Sequence, residues 1–252
     1  MKLKYLFFVF SFLFFNNILY SGSSGEQFSY ETQFLVNKPT ASSIPFKSEI
    51  FSLNFSGNSN FVLNGEYSPF ENFSLGLAFG GNNFFGKDKV IFQSYPGILL
   101  KYRFINENKY IPAIAFGFNS QGYGNFNEKL KEFEINSPGF YLVLSKSFKW
   151  KYGYVAWHLG ANYSFEPASN LRKINPYFGF EHTLGKRSTL NFEYDFQSPY
   201  NPNYVLSKSL YNISLRYSID INTTLELKFV DLFHSNSDLQ RILKVEFIGY
   251  FF

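Results

Sequence analysis

The sequence predicts an all-β chain, a transmembrane antiparallel up-and-down β-barrel of about twelve strands. Three observations predict it. Segments of roughly ten residues alternate large apolar side chains with small or polar ones. The connections between them alternate in length. Aromatic residues gather at segment ends, as in Trp150, Tyr152 and Tyr154 and again in Tyr250, Phe251 and Phe252. Successive side chains of a strand point to opposite faces, so this alternation makes one greasy face and one small, polar face. Phe73-Ser-Leu-Gly-Leu-Ala-Phe79 is the clearest case.

In chain order, residues 1–22 read first, as a signal peptide. Lys2 and Lys4 supply the positive start, Tyr5 to Phe15 the apolar run, and Ser21-Gly22-Ser23 the small residues for cleavage. The apolar run is shorter than the roughly 17–25 residues of a spanning helix. Residues 23–45 are expected to form an N-terminal periplasmic segment, and 46–252 the outer-membrane barrel. Removing 22 of 252 residues leaves 230, a length that suits one β domain.

Strands are expected at 46–56, 60–67, 73–80, 96–105, 111–119, 138–149, 154–164, 174–183, 189–197, 209–219, 224–232 and 240–252. Parity places Phe116, Leu159, Phe192, Leu215 and Leu227 toward lipid, and Arg103, Asn119, Glu193, Asp195 and Arg216 toward the lumen. Two strands resist this treatment. Strand 138–149 carries apolar residues on both faces. In the last strand Phe252, Tyr250 and Ile248 share a face, yet the same parity then meets Glu246 and Lys244. Either a bulge shifts the register there, or Leu243, Val245, Phe247 and Phe251 face lipid.

Short connections contain Ser68-Pro69, Asn106-Glu107-Asn108, Lys151-Tyr152-Gly153, Gly185-Lys186-Arg187 and Asp220-Ile221-Asn222. Long ones span 81–95, 120–137, 165–173 and 198–208. Short periplasmic turns and long external loops are the habit of outer-membrane barrels, and this phase leaves both termini in the periplasm.

Composition narrows the function. Net charge is +4, and two of those charges are Lys2 and Lys4, so about +2 remains, which argues against a nucleic-acid partner. The absence of Cys excludes a disulfide framework and a lipid anchor on an N-terminal Cys. His158, His182 and His234 fall on separate segments without metal-ligand spacing, so no metal or other cofactor is expected. Gly-x-Ser-x-Gly is absent, and no catalytic residue is expected.

Glu193 and Asp195 lie two apart on one strand face, about 7 Å from each other, a spacing that could suit glycoside chemistry. They read better as part of a lumen charge network with Lys101, Arg103, Glu181, Arg216, Glu226 and Lys228. Charges inside a narrow barrel are costly unless paired. Four acids facing four bases therefore predict a plugged lumen or a small, weakly selective pore.

The expected function is a non-enzymatic small pore or structural component in the outer membrane of a Gram-negative-type bacterium. Its expected partners are outer-membrane lipid and, through the C-terminal strand, the barrel-assembly machinery. The alternatives are a lipid-modifying enzyme with Ser and His on the outward rim, and an exported soluble β-barrel binding protein.

Asn37-Lys-Pro39-Thr40-Ala41-Ser-Ser-Ile-Pro45, Pro112-Ala-Ile-Ala-Phe-Gly-Phe-Asn-Ser-Gln-Gly-Tyr-Gly124 and Tyr141-Leu-Val-Leu-Ser145-Lys146-Ser-Phe148 form a set, with Tyr95-Pro96-Gly97 and Lys101-Tyr-Arg103. Together they resemble the YjbH-like outer-membrane proteins associated with exopolysaccharide production. Those proteins are much longer, so this chain is similar to a single barrel portion of them. The resemblance implies polysaccharide or its export components as partners, and no catalytic residues.

Overall fold

The computed structural model describes residues 30–84, 89–127, 129, 131–166, 174–196, 210–233 and 240–250. The signal-peptide reading, His234, Phe251 and Phe252 lie outside them.

Twelve antiparallel strands close into a barrel. They are β1 (Ser48–Ser56), β2 (Asn60–Phe70), β3 (Phe73–Asn82), β4 (Gly97–Ile105), β5 (Ala113–Asn119), β6 (Gly139–Trp150), β7 (Gly153–Tyr163), β8 (Asn175–Leu184), β9 (Ser188–Asp195), β10 (Leu210–Ser218), β11 (Thr223–Val230) and β12 (Gln240–Tyr250). Each strand pairs with its sequence neighbours. β1 then pairs with β12 from Ser48↔Tyr250 to Phe55↔Leu243, which removes both free edges.

The alternation resolves into an outside and an inside. Leu77 and Leu159 are 61% and 59% exposed on the outer surface, and Phe116, Leu215 and Leu227 share that face. Phe192 lies there half-buried, its ring stacked on Phe180 and tilted against Phe178. Apolar side chains left in contact with the surroundings all round a closed barrel are the inverse of a water-soluble protein and suit a hydrocarbon solvent. Asn119, Glu193, Asp195 and Arg216 are buried on the inner face, and Arg103 is half-buried there.

Both difficult strands keep a regular register. In β12, Leu243, Val245 and Phe247 point outward without a bulge, while Lys244, Glu246 and Ile248 are buried inside. Charge decides this parity, because an outward Lys244 and Glu246 would sit in lipid. In β6, Phe140 and Leu142 face out while Tyr141 and Val143 face in.

Local details differ from the sequence reading. Pro69 belongs to β2 rather than to a turn, at a register irregularity between Tyr67 and Phe70 where a missing N–H is tolerated. Asn72, at φ 63°, makes the turn instead. The segment 120–137, expected as a loop, contains a small hairpin of Tyr123–Asn127 with Glu132–Ile135. Ile91–Phe92 pairs with the end of β3. The largest difference concerns the expected periplasmic segment. Over residues 30–45 it is folded inside the barrel, where Leu35, Val36, Thr40 and Ala41 are fully buried.

Candidate functional site: the filled lumen

Residues 30–45 enter the barrel as a hairpin. Phe34 bridges Pro39, Leu35 N–H donates to Lys38 O (2.9 Å), and Thr40 N–H donates to Gln33 O (3.1 Å). The tip, Val36 to Lys38, reaches toward the long-loop end. There Val36 packs with Val230, Ile242 and the small loop hairpin's Tyr123 and Ile135. Both limbs return to the short-turn end, where Tyr30 and Ile44 pack on Ile50 and Ile248.

Three consecutive tip amides, on Val36, Asn37 and Lys38, donate to one oxygen of Glu193 at 3.0, 2.8 and 2.8 Å. Converging N–H groups of this kind form a concave anion site, and the carboxylate of the wall fills it. The other Glu193 oxygen accepts from Asn212 Nδ2 at 2.8 Å. Lys38 Nζ pairs with Asp195 at 2.9 Å. Below the tip, Lys228 Nζ donates to Val36 O (2.6 Å), Lys101 Nζ to the Gln33 side chain (2.9 Å), and Arg216 to Thr32 Oγ1 (2.6 Å). Arg103 pairs with Glu31 at 2.8 Å, and Tyr30 O–H donates to Glu246 (2.5 Å).

All eight residues of the expected charge network line the lumen, but much of their pairing runs elsewhere. Arg216 pairs with Glu246 (3.0 Å), and Glu226 lies 4.0 Å from Lys244, which also meets Glu246. Glu193, Asp195, Lys101, Arg103 and Lys228 turn to the hairpin. Glu181 lines a small cavity with Arg103, Ser145 and His158. Sequence parity left Lys244 and Glu246 open between two readings, did not assign Glu66 to the lumen, and had no means to supply Glu31 and Lys38. Glu193 and Asp195, the potential glycoside pair, are both engaged as structural acceptors.

Apolar contacts complete the fit. Ala41 sits against Ala113, Ala115, Tyr141, Val143 and Tyr177. This accounts for the second greasy face of β6. Tyr177 O–H donates to Pro39 O (2.9 Å), and Ala41 N–H donates to Ser145 Oγ (2.9 Å). Gly179 leaves the space that Leu35 fills, since a Cβ there would meet the Leu35 side chain at 2.7 Å. Ser145 and His158 are cross-strand neighbours with Oγ and Nδ1 2.7 Å apart. Their pairing faces the lumen beneath Ala41, not the outward rim that a lipid-modifying site would need. Among the described residues, no cluster of His, Asp and Glu suits a metal ion.

Two carboxylates outside the strands fasten the ends. Glu107, at the short-turn end, accepts from Ser147 N–H (2.8 Å) and Oγ (3.1 Å), and burial pushes its pKa up. Glu166, at the long-loop end, accepts from Phe133 N–H (2.9 Å) and Ser137 N–H (2.5 Å), tying down the loop hairpin. Burial outweighs those N–H groups and pushes its pKa up to about 7.

No family model matches the chain, and no curated protein matches it. Solved structures do. A KdgM porin is 15% identical, with a TM-score of 0.50 over 81% of this chain and 99% of that one. A second KdgM structure, in complex with disordered oligogalacturonate, is 13% identical with a TM-score of 0.48 over 81% of this chain and 99% of that one. A NanC porin is 7% identical with a TM-score of 0.45 over 81% and 100% of the two chains. The fold of this chain is that of the outer-membrane porin barrels.

Proposed function

We propose that this protein is an outer-membrane, porin-like barrel held shut by its own N-terminal hairpin. The observation that carries this reading is the capture of three tip amides by Glu193. Together with the Lys38–Asp195 pair, it fixes the hairpin in the lumen through polar contacts rather than by grease alone. Such contacts are reversible, because N–H and carboxylate groups regain water when the hairpin leaves. The apolar outer surface and the porin-like fold support placement in the outer membrane. The return of both hairpin limbs to the short-turn end supports a periplasmic N-terminus.

The role is non-enzymatic and belongs to surface-polysaccharide export. The support is the resemblance to YjbH-like proteins, whose separate patches meet in space here. Pro39 and Ala41 of the first patch contact Ala113 and Ala115 of the second and Tyr141 to Ser145 of the third, directly or through Tyr177.

Ala41→Trp tests the reading, because the pocket at position 41 has no room for an indole. In planar bilayers the unaltered protein should be silent and the variant should conduct. Equal conductance of the two would overturn the closed-barrel reading.

A further inference from the structure

We propose that one arc of the short-turn rim, centred on the turns after β6 and β8, binds the phosphate headgroup of an anionic phospholipid. This rests on placing the barrel in a lipid bilayer and is independent of what fills the lumen.

Charge is distributed unevenly around that rim. The turn regions 105–112, 146–154 and 182–189 are neighbours around the barrel. They hold Lys109, Lys146, Lys149, Lys151, Lys186 and Arg187 against a single acid, Glu107. Glu107 is already engaged, by Lys146 at 3.5 Å and by the amide and hydroxyl of Ser147. Among the described residues, the rest of the rim leans the other way, with Lys47 against Glu49, Glu71 and Asp220. Like charges gathered on neighbouring turns repel one another, and a bound anion relieves that repulsion.

The surrounding side chains set the depth of the arc. Lys146 stands on an outward strand position, cross-strand from Trp157 and between the buried Ser145 and Ser147. Its ammonium bends back to the turn and donates to Asn108 O and Lys109 O. A lysine that reaches out of the apolar layer in this way marks the headgroup level. Tyr110, Trp150 and Tyr152 are exposed at that level, as amphipathic rings are at a membrane interface. Trp150 meets Tyr152 edge-on and, across β7, donates Nε1–H to His182 Nε2 (3.2 Å). Lys151 and Lys186 are exposed on the two turns that flank this aromatic shelf, with Lys151 Nζ over the Tyr152 ring at 5.5 Å. Trp157 and Leu159 continue the outer wall as an apolar surface. Bases at headgroup depth above an apolar wall match a phosphate that carries acyl chains, which a free anion lacks.

The two tryptophans of the chain, Trp150 and Trp157, both lie at this site and report on it. The test places the whole protein in phosphatidylcholine bilayers, with heat-modifiable migration to confirm an intact barrel. Brominated phosphatidylglycerol or brominated phosphatidylcholine is then added at equal mole fraction and tryptophan quenching is read. Phosphatidylglycerol should occupy the site with at least about a fivefold preference, the gain expected from one base near the surface. Lys151→Gln combined with Lys186→Gln should bring the preference close to unity, whereas Lys47→Gln, on the far side of the rim, should leave it unchanged. Equal quenching by the two lipids in the unaltered protein overturns the proposal. So does a preference that survives the double change, or one that Lys47→Gln lowers as much. A preference erased by inorganic phosphate but not by sodium chloride of equal ionic strength assigns the arc to the free anion and overturns it too. All of these leave the membrane barrel standing, whereas an intact barrel that stays outside the bilayer overturns both.

Discussion

Glu193→Ala removes the acceptor of the three tip amides at 2.8–3.0 Å while leaving the outer, lipid-facing surface untouched. A buried N–H left without a partner costs about 1–3 kcal/mol, so three of them weaken the closed state by roughly 3–9 kcal/mol. The open state loses little, because there both the amides and the carboxylate are hydrated. Even the lower bound, at about 1.4 kcal/mol per decade, raises the open fraction roughly 100-fold. Glu193→Gln should give a smaller effect, because its carbonyl still accepts but without charge assistance. The chain has no Cys, so a single Ser42→Cys reporter in the hairpin is clean. Ser42 is buried, with its hydroxyl on Thr32 O at 2.6 Å. Its labelling by a membrane-impermeant maleimide should accelerate by about two orders of magnitude in the Glu193→Ala background. Labelling at an unchanged rate would refute the reasoning, since the amide capture would then contribute nothing to closure.

Other expectations concern the wall and the loop hairpin. Phe192→Arg, facing lipid, should cost about 2–4 kcal/mol of barrel stability near the midplane, read from its heat-modifiable migration. Asn191→Arg should spare the barrel but expel the hairpin, because Asn191 Nδ2 donates to Leu35 O (3.3 Å); equal losses of barrel stability would contradict the parity. Tyr177→Phe removes the hydrogen bond to Pro39 O and should raise Ser42→Cys labelling several-fold, for a loss of about 1 kcal/mol. Glu166 has its folded pKa raised to about 7, so the folded loop holds a proton that the unfolded chain releases. Its contribution is complete below the usual carboxylate range and is lost as pH rises through about 7. Hydrogen exchange of the Tyr123–Ile135 amides, corrected for intrinsic rates, should be faster above that pH than below it, and Glu166→Gln should flatten the dependence.

The barrel was legible because each spanning strand states its own two faces. Every expected strand corresponds to an observed one, and alternations such as Leu190, Phe192 and Tyr194 against Asn191, Glu193 and Asp195 assign lipid and lumen correctly. The end of the chain was ambiguous because Tyr250 shares parity with Glu246 and Lys244. The pairing of β12 with β1 resolves it, and that is information from the opposite end of the sequence. The hairpin left traces without an address. Tyr141, Val143, Ile50, Ile248, Val230 and Ile242 stand on inward positions that a water-filled pore would make polar, and each contacts the hairpin or its cluster. Their apolar character signals a covering element. Which segment covers them is a long-range question that period-two patterns do not answer. The charge network shows the same limit. Facing inward follows from parity, whereas the choice of Glu31, Lys38 and backbone amides as partners depends on a segment with no strand pattern of its own.

The central claim is that residues 30–45 occupy the lumen. Magic-angle-spinning NMR of the unaltered protein in lipid bilayers tests it most directly, through cross-peaks from the Ala41 methyl group. The structure places that methyl among Tyr141, Val143 and Tyr177. The account predicts cross-peaks to both tyrosine rings and to the Val143 methyls, with well-ordered signals from Thr32 to Ile44. Random-coil shifts for those residues, with no contact to the wall, would contradict it.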